Sequence, residues 1–187
     1  MNAQMTHKSK TTIMALCGLF AAVMTVCSWI SIPLGFTPVP VNLATLGVFL
    51  TGALLGPKYG TLSMAVYTLA GAVGLPVFSE FRGGLSVLAG PTGGYIVGYI
   101  AAAFISGIIV AAAVKTEKTP VVSITMYVAA MILGLLACYA LGTAWFMFTT
   151  HTPLGAAMVT CVIPFLPGDA LKIAAGTILA RRLKKYI

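Results

Sequence analysis

The chain has 187 residues, of which 59% are hydrophobic and only 7% are Asp, Glu, Lys or Arg. A soluble domain carries about 25% charged residues, so this composition excludes an ordinary soluble enzyme or binding domain. The formal net charge is +8, but the basic residues fall between and beyond the apolar runs. That distribution argues against a nucleic-acid partner and indicates a chain inserted in a lipid bilayer.

Apolar runs separated by proline and glycine predict an all-α, polytopic membrane protein that forms one domain over residues 1–187. The first run ends without a small-residue cleavage site, so we expect it to be retained. The last run contains Pro164 and Pro167, and we expect its helix to break there. The predicted helices cover six segments: 11–32, 41–56, 59–77, 93–114, 121–148 and 153–181.

Lysine and arginine predict the orientation of these helices. With the N-terminus inside, only Arg82 falls in an outer loop, and only Lys172 lies within a span. Because basic residues concentrate on the inner side of a membrane, both termini are expected in the cytoplasm of a cell with this protein in its plasma membrane. The other nine of the eleven basic residues lie on that side: Lys8, Lys10, Lys58, Lys115, Lys118, Arg181, Arg182, Lys184 and Lys185.

Asp169 and Lys172 lie within the sixth apolar run, three positions apart and therefore on one helix face. Counted back from Arg181 at about 1.5 Å per residue, Lys172 lies about 13 Å and Asp169 about 18 Å into the span. Charges at this depth are costly and mark functional sites. Two interpretations remain: an ion pair that only joins helices, or a ligand site in which the carboxylate accepts N–H groups and the ammonium donates.

The outer segment between the third and fourth predicted helices combines aromatic residues, two pairs of glycines and one cation, Arg82. One interpretation is a flexible connector in which Glu80 and Arg82 are solvated. The other is a lid whose aromatic side chains cover a ligand while Arg82 neutralises an anionic tail. Tyr95, at the end of this segment, is a candidate hydrogen-bonding partner of the ligand or an anchor at the membrane interface.

The sequence carries no catalytic or cofactor signature. Residues 90–94 are glycine-rich but lack the Gly-Lys-Ser/Thr ending of a phosphate-binding loop. The four cysteines lack metal-ligand spacing. An intramembrane catalyst using Asp169 as a base would need a partner acid, nucleophile or metal ligand, and none is evident. We therefore expect no metal, no cofactor and no enzymatic activity, and any ATP hydrolysis would belong to a partner protein.

The first helix carries small residues four positions apart, Gly18 and Ala22, with Ala15 and Ala21 alongside. Small residues allow helices to approach closely in lipid. They either pack inside this bundle or dock a separate membrane subunit.

Four motifs taken together resemble one family. Pro-Leu-Gly-Phe-Thr-Pro-Val-Pro-Val (33–41), Gly-Ala-Leu-Leu-Gly-Pro-Lys-Tyr-Gly (52–60), Leu-Ala-Gly-Pro-Thr-Gly-Gly-Tyr (88–95) and Pro-Gly-Asp-x-x-Lys (167–172) are similar to those of BioY proteins. The resemblance implies the six-helix fold of the S components of energy-coupling-factor (ECF) vitamin transporters. It also implies biotin binding from outside, together with a transmembrane coupling subunit and two cytoplasmic ATPases.

The resemblance implies ligand contacts for Asp169 and Lys172, a polar contact for Arg82, and Tyr95 nearby. The small residues of helix 1 are implied to face the coupling subunit. The sequence departs from the family at Asn42, where many members carry threonine, and at Ala44, where many carry glutamine. Asn42 could supply a substitute polar group there. An S component for another vitamin, or a small-solute transporter that works alone, are the alternatives.

Overall fold

The computed structural model describes residues 9–116 and 120–185. Helix α1 covers Lys10–Trp29 and is capped by Ser9, whose hydroxyl oxygen accepts the Thr12 N–H at 3.2 Å. The prediction extended this helix to residue 32, which was wrong. The chain instead leaves the helix at Ile30 and enters a short strand.

A two-stranded antiparallel ribbon, which the sequence did not predict, follows α1. Strand β1 (Ser31–Ile32) pairs with strand β2 (Val41–Asn42), with Ser31 opposite Asn42. The Leu43 N–H then bonds back to carbonyl oxygens in the last turn of α1. The proline-rich loop between the strands is therefore closed onto the end of α1, and the next helix starts at 44 rather than at 41.

Helix α2 covers Ala44–Ala72 and contains a reversal at Gly56, whose φ of 76° lies in the left-handed region. A Cβ at Gly60 would lie only 3.1 Å from the Cα of Gly52, a separation that a continuous helix could not give over eight residues. The segment therefore folds into two antiparallel arms, 44–55 and 57–72. They correspond to the second and third predicted helices, although the second arm ends at 72 instead of 77.

The segment between α2 and the next long helix is partly ordered as two short elements. A 3₁₀ turn covers Ser79–Phe81, and a five-residue helix, α3, covers Leu85–Ala89. Helix α4 covers Gly93–Thr116 and begins where the sequence predicted. The sequence indicated only a connector or lid here, so these short elements are additions.

The remaining chain forms helix α5 (Pro120–Thr150), helix α6 (Leu154–Cys161), a 3₁₀ turn (Ile163–Phe165) and helix α7 (Leu166–Leu183). The break between α6 and α7 lies at Pro164 and Pro167, which confirms the predicted interruption of the last helix. Proline cannot donate the backbone hydrogen bond that an unbroken helix requires. The break places Asp169 in the first turn of α7.

Small residues hold the inner halves of the helices together. A Cβ at Gly107 of α4 would lie 2.7 Å from the Pro57 nitrogen, and one at Gly52 would lie 2.3 Å from Ser106 Oγ. Such close approach is possible only without side chains at these positions. The turn of α2 is therefore packed directly against α4.

Four helical stretches are long and apolar enough to cross a membrane: Lys10–Trp29, Gly93–Val114, Val122–Thr150 and Leu154–Leu183. The two arms of α2 are shorter, and they bring the crossings in the described chain to six. Lys184 Nζ donates to the carbonyl oxygens of Ala53 and Leu54 at 2.8 and 3.2 Å, so the end of α7 lies beside the turn of α2. This basic end is cytoplasmic by the positive-inside rule.

Candidate ligand-binding site

A cavity lies in the outer half of the bundle, at the end opposite the basic C-terminus of α7. It contains about 830 Å³ of empty space, part of which is open to solvent. Its wall combines aromatic groups with a few polar and charged ones, as the walls of small-molecule sites do. Six aromatic side chains contribute to its wall: Tyr67, Phe78, Tyr95, Tyr99, Tyr139 and Phe165.

Asp169 and Lys172 meet inside this cavity. Their side chains form an ion pair, with 2.9 Å between Lys172 Nζ and Asp169 Oδ1. Asp169 is 2% exposed and Lys172 is 8% exposed, and both line the cavity. Because Asp169 lies in the first turn of α7, its negative charge also complements the positive end of the helix dipole.

Two further donors hold the Asp169 carboxylate. The Thr45 hydroxyl, from the first arm of α2, donates to Oδ1 at 3.1 Å. The Tyr139 hydroxyl, from α5, donates to Oδ2. A carboxylate offers about four acceptor positions, so one position on Oδ2 remains after Thr45, Tyr139 and Lys172 are counted.

The chemical capacity of the pair follows from these contacts. Lys172 has three N–H donors and uses one of them on Asp169. Oδ2 of Asp169 can accept one more N–H group. Side by side, they can bind a group that presents an N–H donor next to a carbonyl oxygen, as an amide or a urea does.

Tyr95 lines the cavity from the start of α4 and is 6% exposed. Its hydroxyl lies 3.1 Å from Thr143 Oγ1 and donates to the Cys161 carbonyl oxygen at 3.5 Å. Gly142 makes room for its ring, since a Cβ there would lie 2.2 Å from a ring atom. The tyrosine is therefore a buried wall residue and not an exposed interface anchor.

Arg82 and Asn42 line the same cavity, and the exposed Arg82 lies at its mouth. The Arg82 side chain is 66% exposed, and its guanidinium forms an ion pair with Glu80. Asn42 donates from Nδ2 to Ser79 Oγ at 2.8 Å, and its Oδ1 accepts the Ala44 N–H at 3.0 Å. The structure thus brings all five predicted ligand residues to one cavity: Asp169, Lys172, Arg82, Tyr95 and Asn42.

Comparison with known proteins identifies the family. The family model described as the BioY family matches residues 2–187. The chain belongs to the BioY family. It is 45% identical over 168 residues to a protein named "Biotin transporter BioY" from Thermotoga maritima, an alignment that covers 90% of this chain and 93% of the relative. A protein of the same name from Rhodobacter capsulatus is 36% identical over 180 residues, and the alignment covers 91% of this chain and 92% of that protein.

The fold agrees with a solved member of the same class. The crystal structure of the S-component for biotin from an ECF-type ABC transporter superposes with a TM-score of 0.85 at 28% sequence identity. The match covers 99% of this chain and 95% of that one. This confirms the predicted six-helix S-component architecture. BioY is a family of transporter S components rather than of enzymes.

The small residues of helix 1 lie on the outside of this BioY bundle. Ala15, Gly18 and Ala22 are exposed, whereas Ala21 is 9% exposed and faces the core. A Cβ at Gly18 would meet nothing within 4 Å. Against the described residues, packing within this chain therefore holds for Ala21, whereas Ala15, Gly18 and Ala22 are left exposed on the helix surface.

Sequence reasoning missed Thr45 and Tyr139 as partners of Asp169. A threonine at a helix start and a tyrosine within an apolar run are common in membrane helices, so neither type draws attention. In the described part of the chain, no three His, Cys, Asp or Glu side chains come together as metal ligands.

Proposed function

We propose that this chain binds biotin from the outer side of the cell membrane, as the substrate-binding subunit of an ECF-type ABC transporter. The buried Asp169–Lys172 pair carries this proposal, because its remaining hydrogen-bonding positions line the cavity of a BioY-family chain. Relatives named as biotin transporters, and the S-component for biotin with the same fold, support the choice of ligand.

The chemistry of biotin suits the pair. The ureido ring of biotin presents two N–H donors and one carbonyl oxygen. Asp169 Oδ2 accepts one ureido N–H, and Lys172 donates to the ureido oxygen. A buried site of this kind rejects molecules that lack these groups, since its own polar atoms would remain unpaired.

The valeryl carboxylate of biotin pairs with Arg82. Lys172 is already committed to Asp169 and lies deep in the bundle, whereas Arg82 lies at the cavity mouth with its guanidinium accessible. A guanidinium binds a carboxylate through two parallel hydrogen bonds. Tyr95 and Asn42 complete the wall between ring and tail, with Asn42 supplying the polar group on the α2 side.

Uptake requires partners that this chain does not contain. A transmembrane coupling subunit docks on the exposed small-residue face of α1, formed by Ala15, Gly18 and Ala22. Two cytoplasmic ATPases supply the energy, and the lipid bilayer surrounds the remaining apolar surface. The chain itself acts as a binding protein and not as an enzyme.

Ligand titration tests this function. The purified protein, stripped of any co-purified ligand, is titrated calorimetrically with biotin, desthiobiotin and thiamine. Biotin and desthiobiotin should bind, because both carry the ureido ring and the carboxylate, whereas thiamine should give no heat. Binding of thiamine, or no binding of biotin, would refute the assignment.

A second measurement addresses the transporter context. Uptake of labelled biotin is compared between vesicles with this chain alone and vesicles that also contain a coupling subunit and ATPases. ATP-dependent uptake only in the second set supports the S-component role. Equal uptake in both sets would favour a transporter that works alone.

A further inference from the structure

The turn that carries Arg82 has an unusual backbone. Glu80 and Phe81 have φ values of 60° and 58°, in the left-handed region that side chains other than glycine rarely adopt. Such residues persist where the surrounding structure holds them. The backbone of Arg82 belongs to the same turn, because its carbonyl oxygen accepts the Phe78 N–H and its own N–H bonds to Ser79. A side chain that fixes the conformation of this turn therefore also fixes the position of the Arg82 backbone.

Trp29, the last residue of α1, makes two contacts with this turn. Its indole N–H donates to the Pro76 carbonyl oxygen at 2.8 Å. Its ring lies against that of Phe81, with 4.9 Å between centroids. One side chain thus contacts this segment before its bend, at Pro76, and within the bend, at Phe81.

Trp29 is not among the residues that line the cavity, so it has no direct route to the ligand. Other side-chain contacts in the described chain also hold this turn, namely the packing of the Phe78 ring on Tyr67, with 5.6 Å between centroids, and the bond from Asn42 to Ser79 Oγ. Phe78 and Tyr67 belong to the cavity wall. Asn42 lines the cavity, so a substitution there would change the wall as well. Trp29 can be changed without altering the wall.

We propose that Trp29 is a positioning residue that places Arg82 for the carboxylate of the ligand. This inference rests on the proposed function, in which Arg82 binds the valeryl carboxylate of biotin. Loss of Trp29 frees the turn, and Arg82 then spends less time at the cavity mouth. The ring-binding groups, Asp169 and Lys172, are held by other elements and stay in place.

The test is a double-mutant cycle with two ligands. Trp29→Leu, Arg82→Gln and the double variant are titrated with biotin and with biotinol, in which an alcohol replaces the carboxylate. Arg82→Gln should weaken biotin binding by about tenfold, because a paired guanidinium and carboxylate at an exposed cavity mouth are lost. Trp29→Leu should weaken biotin binding by roughly three- to tenfold. The loss should not exceed that of Arg82→Gln, because the Arg82 guanidinium is still present but is held less firmly at the cavity mouth. Neither single variant should change biotinol binding by more than about twofold.

The double variant is decisive. If Trp29 acts through Arg82, the double variant binds biotin no more weakly than Arg82→Gln alone. Additive losses, or an equal loss for biotin and biotinol in Trp29→Leu, would overturn the inference. If Arg82→Gln weakens biotin and biotinol binding equally, Arg82 does not bind the valeryl carboxylate. The inference about Trp29 is then overturned as well.

Two further variants guard against simple misfolding. Trp29→Phe keeps a ring against Phe81 but loses the N–H, and it should fall between wild type and Trp29→Leu. Trp145→Phe is the matched control. Trp145 likewise donates its indole N–H to a carbonyl, that of Gly90 at 3.0 Å, and is similarly exposed, but it does not touch the turn. Trp145→Phe should leave the ratio of biotin to biotinol affinity unchanged; a changed ratio would count against a role specific to Trp29.

Discussion

Thr45 and Asp169 are separated by 124 residues, yet the Thr45 hydroxyl donates a hydrogen bond of 3.1 Å to Oδ1 of Asp169. Tyr139 donates to the other carboxylate oxygen. Three elements, the first arm of α2, helix α5 and helix α7, therefore converge on one carboxylate. A buried charge held in this way is oriented by the protein itself, and pre-organisation of this kind reduces the cost of binding.

Asp169→Asn and Lys172→Ala should each weaken biotin binding at least tenfold, about 1.4 kcal/mol or more. In Asp169→Asn, the amide N–H group would face hydroxyl and ammonium groups that are themselves donors. In Lys172→Ala, the buried Asp169 carboxylate would lose the ammonium that pairs with it. Titration calorimetry measures the effect. Leu171→Ala is the control, because Leu171 lies between the two residues but is 74% exposed. Unchanged binding in folded Asp169→Asn protein would contradict the site.

Tyr139→Phe should weaken biotin binding by about three- to tenfold, because one hydrogen bond that orients Asp169 is lost. The cavity wall keeps its aromatic ring, so its shape is retained. Affinity and size-exclusion profile are measured together. Tyr59→Phe serves as the control at the inner end, where the ring lies beside Lys58 and away from the cavity. Binding equal to wild type in Tyr139→Phe would mean that Thr45 and Lys172 suffice.

Glu80→Gln should tighten biotin binding by up to about fivefold, since a surface ion pair contributes about 0–1 kcal/mol. Glu80 pairs with Arg82, so its carboxylate competes with a ligand carboxylate for the guanidinium. The gain should disappear in an Arg82→Gln background and should be absent for biotinol. Weaker binding in Glu80→Gln would show that Glu80 helps to hold the ligand.

Gly18→Leu should retain biotin affinity but lose co-purification with the coupling subunit and ATPases. A Cβ at Gly18 meets nothing within 4 Å, so the bundle itself should tolerate leucine. Gly155→Leu is a matched control, because a Cβ at Gly155 also meets nothing within 4 Å but lies on α6. Pull-down of the complex separates the two variants. Equal recovery of partners by both would place the docking surface elsewhere.

Lys184 should make the free energy of unfolding depend on pH. Burial lowers the pKa of Lys184 from 10.5 to about 8. Between these values the unfolded chain binds more protons than the folded one, so the free energy of unfolding should rise from about pH 8 to about pH 10.5. Thermal unfolding in detergent at about pH 8 and about pH 10 measures this slope.

Lys184→Met should remove that rise, whereas the exposed Lys10→Met should keep it. The methionine variant also loses the bonds to the Ala53 and Leu54 carbonyls, which end the first arm of α2. A slope that persists in Lys184→Met would assign the titration to another group.

Much of the fold could be predicted because its signals are local. The reversal at Gly56-Pro57 and the break at Pro164 and Pro167 follow from backbone geometry that those residues dictate. The ribbon of β1 and β2 could not be predicted, because each strand has only two residues. Its stability comes from hydrogen bonds between segments, which leave no periodic pattern in the sequence.

The sequence by itself determined the membrane class and the number and orientation of the spans, and it placed Asp169 and Lys172 on one face of the last helix. Transfer of each segment into lipid depends on its own composition, so these properties can be read along the chain. Tertiary structure alone decided which hydroxyl groups donate to Asp169. It also decided that Glu80 forms an ion pair with Arg82 and that Trp29 contacts the turn containing both residues. Those contacts join distant segments, and hydroxyl, indole and guanidinium groups can each bond to many partners, so only packing selects among them.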